Sequence, residues 1–359
     1  LTRKMLLWVD KHRPKQLSQL SYHKSLSVRL KHLVAQGDFP HLLFYGPSGA
    51  GKKTRIWCTL RELYGAGVEK IRLEHKSIET PSGKKVEIAL VSSNYHIQLN
   101  PSDVTIYDRV VIQDVIKHMA QTQQLESRTQ RAFKVIVLTE VDKLTREAQH
   151  ALRRTMEKYS SSCRIILCCQ STSKVIQPIQ SRCLPIRVPA PKDEEITEIL
   201  QRVLKLENCR LSAELIGEIV HKADGNLRRA LLSAESVISN ERNYLSENPI
   251  IEPDWEICMK ETASMILREQ TPKMLLQVRG RLYELIVHCI PPSLIFKSLY
   301  FELLHSCDAS IKSEITSVAA KFEYQMTMGA KVIYHLESFV AKFMSLYKHF
   351  LEVTAVDLN

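Results

Sequence analysis

Gly46-Pro47-Ser48-Gly49-Ala50-Gly51-Lys52 places glycine and lysine at the G-x-x-x-x-G-K spacing, after the apolar run His41–Tyr45 and before a helical pattern through Lys53, Thr54, Arg55 and Ile56. Glycines at those places let backbone N–H groups curl around phosphate oxygens. The helix start adds partial positive charge, and the Lys52 ammonium reaches the outer phosphates. This arrangement predicts binding of ATP or ADP.

Two positions depart from a hydrolysing site. The residue after the lysine should carry a hydroxyl for magnesium, and here it is Lys53, whose ammonium could neutralise phosphate charge instead. Thr54 is a poor substitute, since one residue turns a helix by about 100°. The second motif should be an apolar strand ending in Asp, to position magnesium, then Glu, to orient water. Val135–Leu138 supplies the strand and Glu140 the glutamate, but Thr139 stands at the Asp position. Magnesium offsets charge that develops in phosphoryl transfer, so its loss harms hydrolysis more than binding. The expectation is a nucleotide-holding chain with little turnover of its own. Glu140 is then a catalytic candidate without its metal partner, and Mg2+ has no assured ligand.

A loop of this kind needs parallel strands behind it. His41–Tyr45, Val135–Thr139, Arg164–Cys169 and Leu184–Val188 are short, apolar and rich in branched or aromatic residues, as buried parallel strands are. Helical patterns at Lys52–Leu63, Arg109–Leu125 and Thr145–Tyr159 separate them, which is an α/β arrangement with crossover helices. Residues 70–108 fit the alternation poorly; Val86–Val91 and Ile97–Leu99 suggest an extra hairpin about Asn94.

Pro189-Ala190-Pro191 ends the alternation, and Lys192-Asp193-Glu194-Glu195 supplies acidic residues suited to a first helical turn. Residues 192–240 read as a small helical domain, with Ile196, Ile199, Leu200 and Val203 at helix spacing. A polar stretch at Asn240–Pro253 precedes amphipathic helices. Thr271-Pro272 opens one of them with an N-cap hydroxyl and proline in the first turn; Pro291-Pro292 stops it. Stripes such as Leu275, Val278, Leu282, Leu285 and Ile286, and Tyr334, Leu336, Phe339, Val340, Phe343 and Tyr347, suit a core or a subunit interface. Three domains are expected: 1–188, 189–245 and 246–359.

The bulk composition agrees with several domains. A chain of 359 residues is too long for one core of ordinary size, and 44% hydrophobic with 25% charged residues is a globular balance. The net charge of +11 favours an anionic partner without naming it. Nine cysteines form no paired framework and no C-x-x-C, which points to a reducing compartment and away from structural zinc. The longest apolar runs are far short of a membrane span. The chain begins at Leu1, and Met5 is the more natural start.

Further motifs lie in a fixed order. They are Trp8-Val9-Asp10-Lys11-His12-Arg13-Pro14, the loop, Leu138–Asp142, Ala151-Leu152-Arg153-Arg154-Thr155-Met156-Glu157-Lys158-Tyr159, Ser181-Arg182-Cys183, and Gly225-Asn226-Leu227-Arg228-Arg229-Ala230-Leu231. In that order they resemble the AAA+ clamp-loader family across nearly the whole chain, and within it the small subunits of eukaryotic replication factor C. The first is similar to the family's W-x-x-K-Y-R-P element, with His12 in place of tyrosine.

The resemblance implies an AAA+ α/β domain with a parallel sheet, a helical lid and a helical collar that holds a heteropentamer together. Trp8, Val9, Arg13 and Pro14 would hold the adenine end, and Arg228 would reach the phosphates from the lid. Gln170 stands where the family usually has asparagine to sense the terminal phosphate; it is otherwise an ordinary polar strand end. Arg182 would act in trans on ATP in a neighbouring subunit, where a rigid guanidinium stabilises developing charge. Implied partners are other loader subunits, a ring-shaped sliding clamp and primer–template DNA bound without regard to sequence, in the nucleus and with no membrane. The implied work is clamp loading in DNA replication and repair.

The resemblance implies that the Arg109–Leu125 helix faces the loader's central chamber and the clamp, which would make Lys117 a candidate phosphate contact and Met119–Leu125 a candidate clamp contact. Arg153 and Arg154 could meet DNA, a neighbouring subunit or local carboxylates such as Glu157; the residues leave these open. Such contacts would be salt-dependent and directed at phosphate. The rival readings are an independently active AAA+ ATPase that remodels protein or DNA, which Lys53 and Thr139 oppose, and a scaffold with an empty site, which Gly51, Lys52 and Arg228 oppose.

Overall fold

The computed structural model describes residues 6–37, 39–79, 85–121, 133–160, 162–241, 252–329 and 331–357. The chain forms two compact units, Leu1–Ile250 and Ile251–Asn359.

The first unit is built on a seven-stranded sheet. Its strands are β1 (His41–Tyr45), β2 (Arg72–Glu79), β3 (Lys85–Ser92), β4 (His96–Leu99), β5 (Lys134–Leu138), β6 (Cys163–Cys169) and β7 (Cys183–Arg187). The spatial order is β2-β3-β4-β5-β6-β1-β7. From β4 to β7 every pairing is parallel, with Leu43 opposite Leu167 and Phe44 opposite Cys168; β2, β3 and β4 pair antiparallel.

Strand period explains why both faces are buried. Leu43, Ile136, Leu138, Ile165 and Leu167 point into one core, beside helices Asp108–Gln121 and Arg146–Lys158. Their alternates Leu42, Phe44, Val135, Val137 and Ile166 point into a second core, beside helices Lys24–Ala35 and Lys52–Tyr64. Each fully buried side chain of this size contributes about 1.5–3 kcal/mol. The four expected strands are present within one residue of their predicted ends, and the hairpin about Asn94 is the β3–β4 pair.

β2 is an addition to the expected elements. Among the described residues it pairs only with β3, and Leu73 on it is 75% exposed, so the strand never acquires the apolar signature of a buried one. The Arg109–Leu125 helix is observed as Asp108–Gln121, with Val111, Ile112, Val115, Ile116 and Met119 buried and Lys117 exposed. The expected clamp contact beyond Gln121 lies outside the described residues.

After β7 come helices Asp193–Glu207, Ala213–Ala223 and Leu227–Glu241. The Glu195 carboxylate accepts the Lys192 N–H at 2.9 Å, and the Ser212 hydroxyl accepts the Leu215 N–H at 3.3 Å, so two of these helices begin on side-chain caps. Ile196, Ile199, Leu200, Val203, Ile219 and Val220 form their common core. The boundary expected at 245 falls outside the described residues.

The second unit holds helices Asp254–Arg268, Pro272–Val287, Pro292–Ser306, Ala309–Met328 and Val332–Asp357. The Thr271 hydroxyl accepts the Met274 N–H at 3.3 Å, the N-cap expected there. Val278, Leu282, Leu285, Leu336, Phe339, Val340 and Phe343 are core residues, whereas Tyr334 is exposed. Among the described residues no helix is long and apolar enough to cross a membrane.

Candidate nucleotide site

The glycine loop follows β1 and ends at the N-terminus of helix Lys52–Tyr64. Gly49 has φ +75°, and a Cβ there would stand 1.8 Å from Asn226 Oδ1 of the lid, so only glycine fits. The Gly46 N–H donates to the Gln170 carbonyl at 3.2 Å, which ties the loop to the end of β6. Lys52 Nζ donates to the carbonyls of Gly46 and Pro47 at 2.7 and 2.8 Å. Burial pulls the Lys52 pKa down; Cys168, Cys169 and Asp142 oppose that shift, and the Arg228 guanidinium adds to it. Two cations, one on the loop helix and one on helix Leu227–Glu241, therefore act on each other here, an arrangement that an anion relieves.

A cavity of about 540 Å³ opens over the loop. The N-terminal segment lines it through Val9, Arg13 and Pro14, the loop through Ser48, Gly49, Gly51, Lys52, Lys53 and Thr54, the sheet through Glu140 and Gln170, and the lid through Arg228. Four of the expected contacts stand outside this lining. Trp8 packs against the lid core, and its backbone N–H donates to the Glu235 carboxylate at 3.1 Å. Gly46 and Pro47 turn their carbonyls to Lys52, and Ala50 is buried.

The carboxylate side of the cavity is crowded. Glu140 sits at φ +56° and its carboxylate meets Lys143 at 2.8 Å and accepts the Ser102 hydroxyl at 3.3 Å; the Lys143 bond, foremost, holds its pKa down. Thr139 is buried and donates its hydroxyl to the Leu99 carbonyl at 3.3 Å. The positions that would hold magnesium thus carry a cation, Lys53, and a hydroxyl already engaged by backbone. Neither is an anionic ligand, and the ordinary resident metal does not fit them. The loop, Lys52 and Arg228 by contrast fit a di- or triphosphate.

Several lining residues were not singled out from sequence. Asp142 accepts the Gln170 N–H at 3.2 Å and places a second carboxylate in the cavity. Lys11 Nζ lies 2.6 Å from the Glu207 carboxylate, which also meets His12 Nε2, so the N-terminal segment is clasped to the end of a lid helix. Those partners are 195 or more residues apart and carry no local signal. His12 at the tyrosine position was the only hint.

The remaining candidates lie away from the cavity. Arg182 Nη2 contacts Glu157 Oε1 at 2.5 Å, and Nη1 donates to the Pro178 carbonyl at 2.8 Å. Arg153 stands 3.5 Å from the same Glu157 carboxylate, and Arg154 and Lys117 are exposed.

Three family descriptions match successive parts of the chain: "DNA polymerase III, delta subunit" over residues 22–192, "RCF1/5-like, AAA+ ATPase lid domain" over 198–239, and "Replication factor C subunit 3, C-terminal domain" over 255–351. The chain is 58% identical over 348 residues to Replication factor C subunit 3 of Homo sapiens, covering 97% of this chain and 98% of the relative. It is 48% identical over 352 residues to Replication factor C subunit 5 of Oryza sativa, covering 97% and 99%. The solved Thermotoga maritima RuvB Holliday junction branch migration motor aligns at a TM-score of 0.48 and 16% identity, over 75% of this chain and 85% of that one.

Proposed function

Because the chain belongs to the replication factor C family, we propose that it is one subunit of a heteropentameric clamp loader, which opens a ring-shaped sliding clamp and seats it on primer–template DNA. In this reading it works in the nucleus, in replication and repair, beside the other loader subunits. Its own site holds ATP or ADP and turns it over slowly or not at all. The AAA+ architecture, with sheet, lid and second helical unit, is the frame on which the reading rests.

The observation that carries it is the make-up of the cavity. Lys52 and Arg228 converge from loop and lid, while Lys53 and Thr139 occupy the positions that would hold magnesium. Such a site gains from phosphate charge and lacks, at its two expected positions, the ligands for the magnesium that offsets charge in phosphoryl transfer. Arg182 then acts in a neighbouring site, and nucleotide binding favours one arrangement of the loader through differential affinity. Lys117, Arg153 and Arg154 are candidates for phosphate contact with DNA or for contact with neighbouring subunits. The net charge of +11 supports an anionic partner in general.

The test uses the purified chain. Denaturing it should release stoichiometric nucleotide, and the Lys52→Ala variant should carry none. Magnesium-dependent turnover by the isolated chain at an ordinary enzymatic rate, abolished by Lys52→Ala, would overturn the slow-turnover assignment.

A further inference from the structure

Tyr22 belongs to two structures at once. Its ring is buried in the lid core with Ile196, Ile199 and Leu200, although Tyr22 itself precedes β1 by nineteen residues. Its hydroxyl donates to the Ala50 carbonyl of the phosphate loop at 3.1 Å. A trans peptide sets its C=O and N–H in opposite directions, so holding the Ala50 carbonyl also fixes where the Gly51 N–H points. Gly51 has no side chain to block this approach. A Cβ there would lie 2.2 Å from Tyr22 Oη, and φ is +84°.

Arg55 braces the tyrosine. It is fully buried, its Nη2 donates to the Tyr22 carbonyl at 3.0 Å, and its guanidinium carbon lies 4.5 Å from the centre of the Tyr22 ring. Among the described residues, Nε and Nη1 of this arginine have no hydrogen-bond partner. A buried cation left half satisfied is costly, and an apolar residue of similar size would serve packing better. What the guanidinium does, and an apolar side chain could not, is grip the face and the backbone of one aromatic residue together.

We propose that Tyr22, braced by Arg55, is the positioning residue that transmits occupancy of the phosphate loop to the lid. Arg228 offers a direct path from lid to phosphate; Tyr22 adds a path through the protein, from loop carbonyl to lid core. A loop set for phosphate holds the Tyr22 hydroxyl, and the tyrosine ring holds the lid. The inference rests on the reading of the cavity as a nucleotide site.

Hydrogen exchange of the full-length chain, with and without ADP, separates the two ideas. In the parent chain ADP should protect both the loop helix 52–64 and the lid helices 193–207 and 227–241. Tyr22→Phe keeps the ring and loses only the hydroxyl. It should weaken ADP binding about five- to tenfold and, at saturating ADP, protect helix 52–64 while the lid gains little. Ile219→Val, a lid-core change away from the cavity, should lower the melting temperature and leave the lid response intact. An ADP response of the lid in Tyr22→Phe equal to that of the parent overturns the proposal. Absence of ADP protection at helix 52–64 in the parent overturns the nucleotide reading itself.

Discussion

Arg182 Nη2 sits 2.5 Å from Glu157 Oε1, so the arginine expected to act on a neighbour is parked on a carboxylate of its own chain. Both side chains are partly exposed, and exposed pairs of this kind contribute about 0–1 kcal/mol. The pair can therefore open cheaply when a subunit interface offers phosphate instead. Arg182→Ala should lower turnover at the adjoining site by about a thousandfold or more, the usual reach of such an arginine. Glu157→Gln should leave that turnover within about twofold. Steady-state ATPase of the reconstituted complex, with assembly checked by gel filtration, reads both; an unchanged rate for Arg182→Ala would remove the trans role.

The Thr139 hydroxyl donates to the Leu99 carbonyl in a buried setting, which makes the position a sharp test of metal chemistry. A carboxylate placed there faces a carbonyl rather than a donor. Thr139→Asp alone should cost about 1–3 kcal/mol of stability in metal-free buffer. Combined with Lys53→Thr it should make ADP affinity depend on magnesium. Calorimetric titration with and without the metal decides this: equal affinities in the double variant would show that Lys53 and Thr139 are not what keeps magnesium out of the site.

Much of the frame is legible in the residues. β1 and β5 are buried on both faces, so Leu42, Leu43, Phe44 and Val135–Leu138 form unbroken apolar runs that can hardly be anything else. β2 is illegible for the opposite reason: an edge strand carrying Arg72, Glu74 and Lys76 has no such run. The loop and Lys52 are readable because their chemistry demands particular residues at a particular spacing, whereas Arg228 is reached only through the resemblance of its motif to the family's. Tyr22, Arg55 and Glu207 are not, because each acts through partners distant in sequence, and a lone tyrosine or glutamate has no spacing to betray it.

Glu207 ties Lys11 and His12 to the end of a lid helix, and these two bonds, Lys11 foremost, hold the Glu207 pKa down. The clasp closes the side of the cavity lined by Val9, Arg13 and Pro14. Glu207→Ala should speed release of a fluorescent ADP several-fold while the nucleotide-free melting temperature falls by only about 1–3 °C, since the foremost partner, Lys11, is exposed. Stopped-flow chase measures the rate. Release as slow as in the parent would mean that the segment stays in place without the clasp.

His96 gives the first unit a stability that depends on pH. The ring is fully buried at the start of β4, its Nδ1 is 2.6 Å from the Ser93 hydroxyl, and it stands edge-on to Trp57 at 5.0 Å. Burial brings its pKa down to about 4 from 6.5. The unfolded chain therefore binds the proton between those values and the folded chain does not. Stability is full above pH 6.5 and falls as pH drops towards 4, by about 2 kcal/mol at pH 5 from this group. His41 and His23, also lowered chiefly by burial, act in the same direction. His96→Gln should be less stable at pH 7.5, yet lose less between pH 7.5 and 5 than the parent does. Urea unfolding midpoints at the two pH values supply the comparison. Parallel losses in both proteins would mean that the acid sensitivity arises elsewhere, because a glutamine has no proton to take up in that range.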